Sequence, residues 1–385
     1  MINLNLFYLP IMDFEDIYNI HHYQDNEVNQ VITSLLEDEE LLSLLSSLKP
    51  GIQQYLPNFL STRIIRSFLI KNFENLDSIK SFQDALAPLV EEMIDRTTSE
   101  FTVSGLEHLN SKPTLYISNH RDIALDSLFL NVARYREGHS TARIAIGDNL
   151  INGKFSEKVM RLNKSFVVHR EITGVKETYK KLMNLSSFIN RSITEDHESI
   201  WIAQLEGRAN DGNDYTDPAV LKMLHLAKRK EKELSSWLNE VNLSPVTISY
   251  EFDPLDITKA IGWDGWRELS FEANNQRDIR ELITGITGHK GRVHLHIGEP
   301  IKNCNSYEDL ASVITQSMLD NYKIYPSAQI SDSLIQKKEK EELIVDFDKE
   351  YFQSFLSRFD SLDDDLKSKV FSMYAAPLIN KRRGQ

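Results

Sequence analysis

The stretch Ser118-Asn119-His120-Arg121-Asp122-Ile123-Ala124-Leu125-Asp126 places one imidazole and two carboxylates within seven residues. A histidine with one ring nitrogen bonded to a carboxylate is held in one tautomer and made more basic. Its other nitrogen can then take a proton from a substrate. Asp126 and Asp122 are both candidates for that partner. Asp122 has a competing structural reading, because a short acidic side chain often caps a helix start. A second group is Glu206-Gly207-Arg208. Its glycine allows a close backbone approach or a positive φ, and its arginine offers a planar fork suited to phosphate. Taken alone, it also reads as a solvated turn. In a third group, His169-Arg170, the arginine could share a phosphate with Arg208 or simply pair with Glu171.

All three groups follow short apolar runs, which read as strands delivering polar turns at their carboxyl ends. Strand-like runs occur at Thr114–Ser118, Ala142–Ile146, Ser165–Val168, Ser199–Ala203, Pro245–Tyr250 and Arg292–Ile297. Helical patterns separate them at Asp126–Tyr135, Val175–Ile193 and Pro218–Val241. Such alternation predicts an α/β fold, a mostly parallel sheet flanked by helices, whose chemistry sits at the carboxyl edge. Before it, Val28–Leu48, Phe59–Phe73 and Ser78–Thr97 read as helices; after it, Tyr307–Tyr322, Ser333–Asp348 and Tyr351–Phe359 do so. The expected organisation is a helical N-terminal region (1–100), an α/β catalytic domain (101–303) and a helical C-terminal region (304–385). The stretch from Pro326 to Ser331 has the character of a linker.

The chain has 385 residues, 41% hydrophobic and 26% charged, as in an ordinary globular protein. A net charge of −13 disfavours a general nucleic-acid binder and non-specific adhesion to anionic membranes. The single cysteine, Cys304, excludes an internal disulfide and a Cys-rich metal site. Its N-terminus is a poor signal peptide, and no apolar run approaches the ~20 residues of a spanning helix. A cytoplasmic location follows, with any membrane contact peripheral and at the inner face. His294 and His296 share a strand face without a third ligand, so no metal is expected. His21-His22 reads as a solvated loop. Lys222, Lys228, Arg229, Lys230 and Lys232 form a basic stripe: ordinarily a solvated face, but one that could meet headgroups or a carrier.

In order, Asn119-His120 with Asp126, Val167-Val168-His169-Arg170, Glu206-Gly207-Arg208 and Ser244-Pro245-Val246-Thr247-Ile248 resemble the four blocks of the glycerol-3-phosphate / lysophosphatidate O-acyltransferase superfamily. The resemblance spans about Phe101 to Pro300. It departs from the family pattern at three places. Leu125 stands where the family spacing puts the aspartate, and Asp126 comes one residue later. Lys164 replaces a usual glycine, and the third block lacks its threonine. The resemblance implies direct acyl transfer from acyl-CoA or acyl carrier protein as co-substrate, with no bound cofactor. His120 would act as general base with Asp126, or with Asp122 in its place. Arg170 and Arg208 would hold the phosphate of a glycerol-phosphate or lysophospholipid acceptor. Glu206 would shape the site, and backbone N–H groups near Gly207 would meet the oxyanion. The altered spacings also admit a different acceptor, an amine or another alcohol, or a silent lipid-binding protein of the same fold. The helical N-terminal region is expected to offer an apolar surface to a bilayer.

Overall fold

The computed structural model describes residues 20–47, 58–151, 155–169, 174–262, 271–340 and 348–384. Elements are numbered in chain order. Among the described residues, α1 (Asp25–Leu36), α2 (Glu39–Ser47), α3 (Asn58–Phe73) and α4 (Ile79–Thr97) come first. Then β1 (Thr98–Ser104), β2 (Leu115–Ser118), α5 (Leu125–Arg136), β3 (Arg143–Gly147), α6 (Phe155–Leu162), β4 (Ser165–Val168), α7 (Val175–Thr194) and β5 (Ile200–Ala203) follow. The chain continues through α8 (Pro218–His225), α9 (Leu234–Val241), β6 (Ser244–Tyr250), α10 (Asp256–Gly262), α11 (Phe271–Thr287) and β7 (Gly291–Ile297). It closes with α12 (Tyr307–Asn321), α13 (Pro326–Lys340), α14 (Lys349–Ser357) and α15 (Asp364–Arg383).

The sheet order is β1-β7-β6-β2-β5-β3-β4. Every pairing is parallel except β6 with β7. The fold is thus α/β with a mostly parallel seven-stranded sheet and helical regions on either side of it in sequence. Central strands are apolar on both faces. In β2, Leu115 and Ile117 join one core and Tyr116 the other; in β5, Ile200 and Ile202 oppose Trp201 in the same way. Buried residues of α5 complete the Tyr116 face, while those of α7, α8 and α9 complete the Leu115 face. The helices that follow adjacent strands β2 and β5 therefore leave to opposite sides. Open α/β sheets form their ligand crevice at such a divergence.

Several expectations are corrected. Val28–Ser47 is two helices, because Glu37 and Asp38 break it, with the Asp38 carboxylate capping α2 through the amides of Glu40 and Leu41; Leu48 lies outside the described residues. Pro218–Val241 is likewise two helices, α8 and α9. Pro326–Ser331 is no linker but the first turns of α13, where buried Ser327 donates to the Glu251 carbonyl at 2.7 Å. Strand β1, whose mixed Thr-Ser-Glu-Phe-Thr-Val-Ser sequence lacks alternation, and helices α10, α11 and α15 are additions. His21 and His22 are not solvated: His21 packs edge-on to Phe188, and burial pushes His22 down to about 3.

Candidate active site

His120 leaves the carboxyl end of β2 and lines a cleft of about 490 Å³ at the crevice. Its Nδ1 lies 2.9 Å from Asp126 Oδ2. The same oxygen accepts the backbone N–H of Arg121 at 2.6 Å and of Asp122 at 3.0 Å. The other oxygen accepts the Tyr250 hydroxyl at 2.8 Å. Asp126 lies in the first turn of α5, where unsatisfied amides favour a negative side chain. An ionised carboxylate only accepts hydrogen bonds, so His120 donates through Nδ1 and keeps the Nε2 lone pair for a proton. Trp201 packs edge-on against the imidazole, with centroids 5.7 Å apart, and its Nε1 donates to Ser118 Oγ at 2.9 Å.

Asp122 takes the capping role. Its Oδ1 accepts the amides of Ala124 and Leu125, each at 3.0 Å. Burial, and then the neighbouring Asp126 charge, push its carboxyl above the usual range. The residue inserted relative to the family spacing is thus absorbed in a turn that Asp122 closes, leaving Asp126 facing His120.

Partners on all sides hold this turn. The Asn119 amide donates to the Ile248 carbonyl at 3.0 Å and accepts the Ile248 N–H at 2.8 Å, locking β2 to β6. Arg121 pairs with Asp214 at 2.5 Å, both side chains buried. Lys259 of α10, fully buried, donates to the Arg121 carbonyl at 2.7 Å. The loop after β5 is tied in by the Ala209 N–H, which donates to the His120 carbonyl at 2.8 Å. Within that loop Gly207 has φ +84°, a region L side chains rarely adopt, and lines the cleft beside exposed Glu206.

Arg208 also lines the cleft, but its guanidinium is paired with Glu281 of α11 at 2.5 Å; the two side chains are 9% and 3% exposed. From the same helix, Arg277 reaches Glu281 at 3.4 Å and Asp278 at 3.1 Å, and Asp278 accepts from Asn149 at 2.8 Å. Helix α11 therefore walls the cleft with charged groups that the sequence reading did not single out. Its signal was available in the apolar spacing of Ile279, Leu282, Ile283 and Ile286. Tyr250 and Trp201 were missed as well, though both belong to recognised strand runs. Apolar groups, among them Ile146, Val168, Leu182, Ile202, Val220 and Met223, line the rest of the cleft.

His169 also lines the cleft and meets Asp148 at 3.2 Å. Arg170 lies outside the described residues. Lys164 explains the glycine usual at its place: it has φ +60°, with its ammonium held by Glu198 at 3.0 Å. His294 bonds Thr102 and Ser104 hydroxyls, and His296 bonds Ser104. Three members of the basic stripe, Lys222, Lys228 and Lys232, pair with Glu308, Glu231 and Glu240.

Residues 100–235 match the family model described as Acyltransferase. The matched stretch contains the His120, His169-Arg170 and Glu206-Gly207-Arg208 groups. The solved structure of the 1-acyl-sn-glycerophosphate (LPA) acyltransferase PlsC from Thermotoga maritima resembles the chain at 14% identity, covering 73% of this chain and 94% of that one. The TM-score of the two structures is 0.37. No curated protein matches the chain.

Proposed function

We propose that the protein moves a fatty acyl chain from acyl-CoA or acyl carrier protein to a hydroxyl of glycerol 3-phosphate or lysophosphatidate, in phospholipid biosynthesis. The observation that carries this is the 2.9 Å bond from His120 to Asp126 at the head of an apolar-walled cleft in an acyltransferase domain. His120 Nε2 takes the proton of the acceptor hydroxyl as its oxygen attacks the thioester carbonyl. Asp126 stabilises the resulting imidazolium. The tetrahedral oxyanion is met by backbone N–H groups near Gly207. On collapse the C–S bond breaks, the new ester remains, and the leaving thiolate takes the proton from His120. No covalent enzyme intermediate and no cofactor are required. Arg170 and Arg208 hold the acceptor phosphate, and Glu206 shapes the polar end.

One observation favours a second acceptor class. The Arg208 charge is already balanced by buried Glu281, and Arg277 faces Glu281 and Asp278. A phosphate would have to compete with those carboxylates. An acceptor alcohol or amine without phosphate would not.

The test is thiol release from palmitoyl-CoA, with glycerol 3-phosphate, lysophosphatidate, their unphosphorylated counterparts or no acceptor, for wild type and His120→Ala. Release that needs a phosphorylated acceptor and vanishes in the variant supports the main reading. Equal turnover without the phosphate supports the second. Release without any acceptor points to a hydrolase and overturns both. If coenzyme A thioesters fail, acyl carrier protein is the next donor, and failure there returns the silent lipid-binding reading.

A further inference from the structure

Lys259 of α10 is 0% exposed. An ammonium is rarely kept in a protein core, because leaving water costs more than it gains unless the group is paired and hydrogen-bonded. Here it has two partners. Asp253, in the turn before α10, accepts from Nζ at 2.5 Å, and the Arg121 carbonyl accepts at 2.7 Å. Asp253 is itself fixed. Its carboxylate accepts the Leu255 N–H at 2.8 Å, and its own N–H donates to the Tyr374 hydroxyl of α15 at 2.9 Å.

The second partner reaches the base. The Arg121 carbonyl belongs to the same peptide group as the Asp122 N–H, and that N–H donates to Asp126 Oδ2 at 3.0 Å. In a trans peptide the C=O and the N–H point in opposite directions. The ammonium therefore meets the negative end of the peptide dipole, and the Asp126 carboxylate meets the positive end. A charge-assisted bond at the oxygen draws electron density from the nitrogen and strengthens donation by its hydrogen, as hydrogen bonds in a chain polarise one another. Oδ2 is also the oxygen that faces His120 Nδ1 at 2.9 Å. The contacts run without a break from Lys259 through one peptide group to Asp126 and His120. Arg121, Asp122 and Asp126 are all buried, so water does not screen the path.

We propose that Lys259 is a positioning residue for the general base. Through the Arg121–Asp122 peptide it orients and polarises the hydrogen bond that fixes the Asp126 carboxylate against His120. This rests on the acyl-transfer reading only for what His120 then does. It also gives the C-terminal region a part in the site, because Asp253, Lys259 and Tyr374 all lie beyond the matched residues 100–235.

The experiment compares thiol release by the full chain with and without Lys259. Lys259→Met removes the charge at similar length but strands Asp253. The charge-neutral Lys259→Met/Asp253→Asn is therefore made as well; its asparagine oxygen still accepts from Leu255, and it keeps the test open if the single variant does not fold. Each should lower kcat about three- to tenfold and leave the KM of donor and acceptor unchanged. In an Asp126→Asn background the same changes should cost less than about twofold, because the carboxylate through which the lysine acts is gone. Equal losses in both backgrounds, a loss carried by KM, or wild-type kcat in the neutral variant would each overturn the proposal. A second readout needs no turnover. The sequence holds two Arg-Asp pairs, Arg121-Asp122 and Arg277-Asp278. Isotopic label at the arginine carbonyl carbons and the aspartate nitrogens therefore isolates those two amides in a carbonyl-edited NMR spectrum, with Asp122 assigned by its loss in Asp122→Asn. The Asp122 amide proton should move upfield in both Lys259 variants while that of Asp278 stays in place. An unmoved Asp122 proton would overturn the proposal. If it moves as expected but wild type transfers no acyl group from any donor, the link from Lys259 to Asp126 stands and the acyl-transfer reading fails.

Discussion

The cleft has two walls of different construction. The His120 wall is made from the sheet: one side chain at the end of β2, one carboxylate in the first turn of α5, one hydroxyl at the end of β6. Short bonds fix each group; the imidazole is 13% exposed and its carboxylate partner 1%. The opposite wall is made from α11 and the loop after β5, and its arginines and carboxylates balance one another. A general base gains from rigid, uncompensated geometry, since a misplacement of about 1 Å can cost ~100-fold in rate. A recognition surface with neutralised charges can instead select among acceptors by which pair each one displaces. On the proposed reaction, the comparison assigns reaction type to one wall and acceptor choice to the other.

That contrast can be broken most sharply at the first wall. His120→Ala and Asp126→Asn should each lower kcat by roughly 100- to 10,000-fold with little change in melting temperature, read by thiol release. A retained rate would remove the general base from the mechanism. The second wall should respond through stability and KM. Glu281→Gln strips a buried arginine of its counter-charge and should cost about 3 kcal/mol in urea unfolding. If the acceptor is phosphorylated, the freed guanidinium should also lower its KM; an unchanged KM sharpens the case for an unphosphorylated acceptor. Tyr250→Phe removes one neutral-to-charged hydrogen bond from Asp126 and should cost about tenfold in kcat, with KM held. Smallest of all is Asp122→Asn. The amide oxygen can still cap Ala124 and Leu125, so kcat should stay within about twofold. A large loss there would restore Asp122 as a partner of the chemistry.

Much of the first wall was legible because local sequence encodes it. His120, Asp126 and the strand that precedes them lie within a dozen residues, and the apolar runs around them are short and unambiguous. The choice between Asp122 and Asp126 was not legible. It depends on a turn that absorbs one extra residue, and the bonds that close it are made by backbone amides. Block spacing flagged Lys164 only as a departure from the family; the backbone turn there shows why a glycine is usual. The second wall was hidden for another reason. Glu281 lies 73 positions from Arg208, and nothing local to Glu206-Gly207-Arg208 reveals that its arginine will be matched from so far along the chain. The C-terminal region was similarly obscured: α15 carries many polar residues and Pro377, so its packing against α13 emerges only in three dimensions.

The amide of Ala209 bonded to the carbonyl of His120 bears on motion. It fastens the loop carrying Gly207 to His120, so in the proposed reaction the base and the oxyanion donors would shift as one body. Arg208 of the same loop carries that tie on to Glu281 of α11, so in the proposed reaction any widening that admits a long acyl chain falls to the apolar side, where Leu182, Val220 and Met223 line the cleft. The distance over which the proton and the carbonyl charge must be coordinated would then stay constant while the doorway changes width.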